Sequence, residues 1–155
     1  MNSLPKMTKA KQKDECVYLT CTGDMTLADM TMAWRKVQLM LTASGCKRIL
    51  ADVTALQSGF DPADLFDLAK LFWHNFPPSG RMALLVRWDQ STHAKLLEAL
   101  LRCVGVYLTV FVSEEMAEAW VVEQPGRHQR SVPDSFPKTA AHADSPKGSL
   151  PCHVL

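Results

Sequence analysis

The sequence predicts a single α/β domain whose sheet is mostly parallel. Four apolar runs of strand length alternate with three longer runs of helical period and a shorter fourth. Strands separated by helices are expected to lie parallel, because a crossover can connect parallel neighbours and a hairpin cannot. The length of 155 residues, of which 47% are hydrophobic, suits one core of ordinary size.

The first strand and the first helix are defined by the residues at their ends. Residues 17–22 (VYLTCT) alternate between two faces and are followed by Gly23. Thr26 has Asp29 three residues later, as in a capping box, and apolar residues then recur at steps of three and four as far as Gly45. Gly45 is expected to take the left-handed conformation that ends a helix.

The second strand and helix flank the loop of greatest functional interest. Residues 48–53 (RILADV) are almost wholly apolar, as expected of a central strand covered on both faces. After a loop that ends at Phe60, Asp61 is an N-cap and Pro62 takes the first helical position, where a missing N–H costs nothing. The stripe that this helix is predicted to bury consists of Leu65, Leu68 and Phe72.

The remaining strands follow the same alternation. Residues 81–86 (RMALLV) form a third strand, and residues 91–104 form a helix that ends at Gly105. Residues 106–112 (VYLTVFV) are rich in β-branched and aromatic side chains and predict the fourth strand.

A short last helix is predicted after the fourth strand. Ser113 is its N-cap, and Glu114 and Glu115 in the first turn interact favourably with the positive end of the helix dipole. We expect Met116 and Trp120 to anchor this helix against the sheet.

The two ends of the chain differ in composition from its middle. Residues 1–13 contain four lysines and no acidic residue, which predicts a flexible basic segment, with residues 4–11 kept open as a fifth strand. Residues 124–155 contain five prolines and few periodic apolar residues, which predicts a flexible tail. The domain is therefore expected to span residues 14–123, where nine basic and fourteen acidic side chains give a net charge of −5.

Composition excludes several classes of protein. A formal charge of +1 provides no overall field for nucleic acid. The longest apolar stretch, residues 104–112, is too short to span a bilayer, and no apolar segment follows the first lysines as in a secretory signal. The five cysteines lack a CxxC pair and fit free thiols. We expect a cytoplasmic protein with no nucleic acid partner and no integral membrane segment.

Several features of the chain occur together in one known family. They are Gly23 after the first strand, Asp52 at the end of the second, the Asp61-Pro62 helix start, and an aromatic last strand that runs into an acidic helix ending at Trp120. In this order they resemble the SpoIIAA-like branch of the STAS family over roughly residues 14–123. The resemblance implies a mixed, mostly parallel sheet of four or five strands with four helices, packed mainly on one face.

The resemblance also implies a candidate regulatory loop. In the anti-sigma factor antagonists of this family, a serine after the Asp-ending strand is phosphorylated, and the phosphate switches binding to a partner kinase. The matching loop here contains Asp52, Thr54, Ser58, Gly59 and Asp61, with Ser58 in the place of that serine. The neighbouring Asp61, Asp64 and Asp67 would repel a phosphate of charge about −1.5 to −2. We therefore favour a structural role for the Ser58 hydroxyl, bonded to turn amides.

Other kinds of chemistry have little support in the residues. The acidic start of the second helix fits helix capping better than a cation, because no second acidic cluster is present. No glycine-rich phosphate-binding loop follows a strand. Ser58 or Cys103 can be paired on paper with His74 or His93, but no activating motif surrounds them. We expect no metal, no cofactor and no catalytic residue.

Aromatic residues concentrate around the second helix and the third strand. Phe72, Trp73 and Phe76 cannot all face one side of a helix that turns by about 100° per residue, so Trp73 or Phe76 should reach the surface. We take Phe60, Trp73, Phe76 and Trp88 as a candidate hydrophobic binding face.

The sequence thus favours a non-enzymatic regulatory or protein-binding module. A protein is the expected partner, and a homodimer is kept open. The first alternative is a carrier of a small apolar or lipid-like ligand, held between the second helix and the sheet. An uncharacterised hydrolase ranks last.

Overall fold

The computed structural model describes residues 4–57 and 59–123. In chain order its elements are β1 (Met7–Lys13), β2 (Cys16–Gly23), α1 (Leu27–Ser44), β3 (Arg48–Leu56), α2 (Pro62–Asn75), β4 (Arg81–Leu85), a 3₁₀ turn (Trp88–Gln90), α3 (Ser91–Cys103), β5 (Tyr107–Phe111) and α4 (Glu114–Val122). The compact unit ends at Val122. The tail predicted for residues 124–155 lies outside the described residues.

The five strands form one mixed sheet in the order β1-β2-β3-β4-β5. β1 runs antiparallel to β2, and β2, β3, β4 and β5 are parallel to one another. The predicted α/β class with a mostly parallel sheet is therefore confirmed, and the sheet has the larger of the two predicted strand numbers.

The N-terminal residues form more ordered structure than their composition predicts. Residues 7–13, expected to belong to a flexible segment, make up the edge strand β1, paired with β2 from Met7 opposite Thr22 to Lys13 opposite Cys16. A tight turn at Asp14, which has a positive φ of 56°, joins the two strands. The lysines are compatible with this strand because only one of its faces packs on the core, where Ala10 contacts the buried cluster.

The two faces of the sheet are covered unequally. The larger core lies between one face and helices α1, α2 and α3, where Val17, Ile49 and Met82 are almost fully buried. The smaller core lies on the other face, where α4 packs on the sheet. Three of the four helices in the described residues thus share one face, as the family resemblance implied.

The contacts of α4 differ from those predicted. Met116 was expected to anchor this helix, but it is exposed, and the side chains that α4 buries are Ala117 and Val121. They pack against strand residues that include Leu50 and Ala83, so small side chains allow the helix to approach the sheet closely. The predicted anchor Trp120 is half-buried at the edge of this contact.

The predicted helix ends are present in the structure. Thr26 and Asp29 form a capping box at the start of α1, and Gly45 ends the helix with a φ of 72°. Asp61 caps α2, whose first residue is Pro62. None of the described helices is long and apolar enough to cross a membrane.

Candidate functional site

The carboxyl end of β3 extends beyond the point where the sequence predicted a loop. Pairing between β3 and β4 stops at Asp52 opposite Leu85, but β3 continues beside β2 as far as Leu56. Thr54, assigned to the regulatory loop, is therefore a strand residue, which corrects that prediction, whereas Asp52 lies in the strand as predicted. The connection to α2 begins only at Gln57, whose N–H donates to the Gly23 carbonyl at 2.9 Å.

Side chains from the loop after β4 bind the part of β3 that has no β4 neighbour. The Arg87 guanidinium donates hydrogen bonds to the carbonyls of Thr54 and Leu56, the second at 2.8 Å. The Gln90 amide donates to the Val53 carbonyl at 3.1 Å. These bonds satisfy strand carbonyls that would otherwise depend on water or on another strand. The extension of β3 pairs with β2 on one side and is bonded on the other by residues more than thirty positions away in the chain.

The loop after β4 is itself held in one conformation. The Arg87 N–H donates to the Gln90 side-chain oxygen at 2.8 Å, and the Arg87 guanidinium pairs with Asp89 at 3.0 Å. The hydrogen bond from Arg87 lowers the pKa of the Asp89 carboxyl. Trp88 lies between these two residues and is 80% exposed. A large aromatic side chain thus projects into solvent from a loop fixed at both neighbouring positions.

The polar residues of the predicted regulatory loop bond mainly to their own neighbours. One carboxylate oxygen of Asp52 accepts from the Thr54 N–H at 2.9 Å and from the Thr54 hydroxyl at 2.6 Å. The Asp61 carboxylate accepts from the Asp64 N–H at 2.9 Å, as the N-cap of α2. Ser58 lies outside the described residues.

The structure does not bring the four aromatic residues of the predicted hydrophobic face together. Phe76 packs against the buried Trp34, with ring centroids 6.0 Å apart. Trp73 reaches the surface at 51% exposure and stacks on His74. Phe60 lines a cavity whose lining includes none of the other three, and Trp88 projects from its own loop. The candidate face is therefore divided among separate places on the domain.

A cavity of about 290 Å³ lies between α2, α3 and the sheet. Its walls are apolar and include Leu65, Phe72 and Leu97, while Gln57 and His93 are among the polar residues that line it. Its position agrees with the place expected for a small apolar ligand in the alternative reading of the sequence. At this volume the cavity is at the lower limit of pockets that hold drug-sized molecules, about 300 Å³.

Comparison with known proteins supports the fold by structure alone. No protein-family model matches the chain, and no curated protein matches its sequence. The crystal structure of an anti-sigma factor antagonist from Mycobacterium paratuberculosis superposes with a TM-score of 0.55, over 79% of this chain and 100% of that one, at 14% identity. The chain has the fold of an anti-sigma factor antagonist. This confirms the SpoIIAA-like fold that the order of the elements implied.

Within this antagonist fold, the described residues assemble no metal centre. No three His, Cys, Asp or Glu side chains of the described ranges lie close enough together to hold an ion. Cys103 and His93 cannot form the nucleophile and base considered from the sequence. Both lie on α3, ten residues and about 15 Å apart along its axis.

Sequence reasoning missed Arg87 and Gln90, the residues that organise this end of the antagonist fold. A usable signal was present: the polar segment 87–90 (RWDQ) follows the third parallel strand directly. In open α/β sheets the carboxyl ends of the strands carry the functional groups. The prediction gave weight to the loop after β3 and took Trp88 only as one of several aromatic residues.

Proposed function

We propose that the chain is a non-enzymatic regulatory module that binds a protein partner through the surface around Trp88. The observation that carries this proposal is the exposure of Trp88 on a loop fixed by Arg87 and Gln90. Exposed tryptophans on ordered segments are common hot spots of protein interfaces, because they bury a large area without first having to order the backbone.

The fold supports one class of partner. The structural neighbour is described as an anti-sigma factor antagonist, which acts on an anti-sigma factor. An anti-sigma factor or a similar regulatory protein is therefore the proposed partner, and the cytoplasm is the proposed location. Asp52 and Thr54 in β3, and Gly59 and Asp61 before α2, are proposed to border this surface, because Arg87 bonds to the carbonyl of Thr54.

The test is a binding measurement with the purified anti-sigma factors of the source organism. Trp88→Ala is expected to weaken the affinity of the bound partner by about thirtyfold, the effect of losing a hot spot of about 2 kcal/mol. Trp73→Ala is the matched control, because Trp73 is also exposed but lies on α2 with its ring stacked on His74. Equal affinities for wild type and Trp88→Ala would refute the proposed surface.

We further propose that binding is not switched by a phosphate on Ser58. Asp61 and Asp64 form a capping box, so their carboxylates already bind two of the backbone N–H groups at the start of α2 and would repel a phosphate there. Ser58→Ala and Ser58→Asp should therefore bind the partner with equal affinity. A large difference in affinity between these two variants would instead support a phosphate switch at Ser58.

A second candidate function, carriage of a small apolar ligand, is favoured by the cavity between α2, α3 and the sheet. Native mass spectrometry of the purified chain should then show a bound lipid-like molecule. Ala94→Met would fill part of the cavity from α3 and should abolish the added mass, whereas the exposed Ala99→Met on the same helix should not. Detection of only the bare wild-type chain would exclude the carrier.

A further inference from the structure

A groove of about 470 Å³ lies between the start of β1 and α1, and no residue of the Trp88 loop lines it. Met7 from β1 and Met32 and Leu39 from α1 contribute apolar side chains to it. Met32 is 70% exposed and Leu39 is 73% exposed, so the outer face of α1 presents an apolar stripe to solvent. Exposed apolar side chains clustered in this way typically mark an interaction site.

The rim of this groove is basic. Lys6, Arg35 and Lys36 line it, and Lys6 pairs with Asp29 at 2.9 Å. Arg35 and Lys36 form no salt bridge with any described residue. The groove therefore carries cationic side chains within a domain whose residues 14–123 have a net charge of −5. Its chemistry fits an acidic, amphipathic element.

The chain itself contains an element of this kind. The outward face of α4 carries Met116, Ala119 and Val122 together with Glu115 and Glu118, and all five side chains are exposed. Met116 is 63% exposed. The three apolar residues span about 9 Å of helix, and Met32 to Leu39 on α1 spans about 10 Å. The two faces thus match in length and are opposite in the charge of the side chains that accompany their apolar residues.

We propose that the groove between β1 and α1 receives the outward face of α4 from a second copy of the chain. The contact is heterologous, because it joins two different surfaces of the same protein. The segment 124–155 is a poorer occupant, since its four basic and two acidic residues would meet a basic rim. The inference stands apart from the proposed function, because it uses neither Trp88 nor its loop.

The test combines sedimentation velocity with two charge-reversed variants. Wild type should show a mass that rises with protein concentration at low salt and falls as salt is added. Arg35→Glu/Lys36→Glu alone should be monomeric, because an acidic groove repels an acidic helix, and Glu115→Lys/Glu118→Lys alone should be monomeric for the converse reason. An equimolar mixture of the two variants should associate, since each supplies the surface that the other lacks.

The control separates the loss of a specific contact from the repulsion that a changed net charge would cause. Lys47→Glu/Lys70→Glu reverses two exposed charges outside both surfaces and should self-associate as wild type does. Unchanged circular dichroism and melting temperature show that all variants fold. A wild type that stays monomeric at every concentration, or a mixture of the two variants that does not associate, would overturn the proposal.

Discussion

The carboxylate of Glu98 on α3 accepts the backbone N–H of Val110 on β5 at 2.7 Å. Val86, which follows β4, donates to the carbonyl of Phe111, so the neighbouring Val110 presents its N–H to the opposite, open edge of β5. Glu98 is buried and also contacts Arg102 at 3.2 Å. One side chain thus closes part of a sheet edge that would otherwise offer an unpaired donor to another strand.

Replacement of Glu98 by alanine should lower the free energy of unfolding by about 2 kcal/mol, because a buried N–H loses a charged acceptor. Glu98→Gln should lose less, since its amide oxygen can still accept the bond. Urea denaturation of the three proteins measures the difference. Equal midpoints for wild type and Glu98→Ala would show that the bond contributes nothing to stability.

Trp34 is the largest of the most deeply buried side chains, and its ring packs edge-on against Phe72 with centroids 4.7 Å apart. Its Nε1 has no hydrogen-bond acceptor among the described residues. Trp34→Phe keeps the ring contact and removes the unpaired donor, so it should cost about 1 kcal/mol, against about 3 to 5 kcal/mol for Trp34→Ala. Thermal unfolding compares the two variants, and similar losses would contradict this account.

Arg87→Ala should loosen the carboxyl end of β3, because the carbonyls of Thr54 and Leu56 lose their donor. Amide hydrogen exchange at Gln57 should become about tenfold faster, equivalent to about 1.4 kcal/mol of local stability. The exchange rate in Arg87→Lys should lie between those of wild type and Arg87→Ala, since an ammonium group cannot donate to both carbonyls as the planar guanidinium does. Asp89→Ala is the control, because it leaves both carbonyl bonds in place. An exchange rate at Gln57 that is the same in Arg87→Ala as in wild type would contradict the role given to Arg87.

The capping box at the start of α1 should contribute to the stability of the domain in a way that depends on the protonation of the Asp29 carboxyl. The pKa of the Asp29 carboxyl is lowered from 3.8 to about 2, mainly by the hydrogen bond from the Thr26 N–H and next by the hydrogen bond from Lys6. A group with a depressed folded pKa stabilises fully above the unfolded value, so this contribution is complete above about pH 4 and is lost as the pH falls to about 2.

An NMR titration of the Asp29 carboxyl checks this value directly. In Lys6→Ala the pKa should stay well below 3.8, because the larger cause, the Thr26 N–H, remains. Asp29→Asn should flatten the decline in stability between pH 4 and pH 2. A normal pKa for Asp29 in the wild type would refute the prediction.

The cysteines should differ sharply in reactivity. Burial raises the pKa of the Cys16 and Cys21 thiols to about 11, whereas Cys103 is exposed. Iodoacetamide at pH 8 should therefore alkylate Cys103 in the folded protein, and Cys16 and Cys21 only after denaturant is added, because the thiolate is the reactive form and the buried thiols are also shielded. Peptide mass spectrometry follows the sites. Early modification of Cys21 in the folded protein would contradict its position in the core.

The sequence predicts the elements whose ends are set by nearby residues. Thr26 with Asp29, Asp61 with Pro62, and Gly45 act within a few positions, so the starts of α1 and α2 and the end of α1 agree with prediction. The end of β3 was misplaced because its partners there, Gly23 on β2 and Arg87 on the loop after β4, are distant in the sequence. β1 was underestimated because an edge strand buries little, which leaves its periodic signal weak.

The candidate site was predictable only in part, for a similar reason. Exposure of Trp73 followed from helix geometry within α2 alone. The separation of Phe60, Phe76 and Trp88 depends on tertiary packing, such as the contact of Phe76 with Trp34, which no local pattern encodes. Burial of Ala117 in place of Met116 likewise depends on the close approach of α4 to the sheet.

The sheet has its strands side by side in the order in which the ribosome makes them. Each new strand can therefore add to an edge that earlier residues have already built, and none has to insert between two finished neighbours. A nascent chain released at any crossover would lack only its outermost strands. Vectorial synthesis and the final topology thus favour the same sequence of events, with β1 and β2 as the template on which the rest assembles.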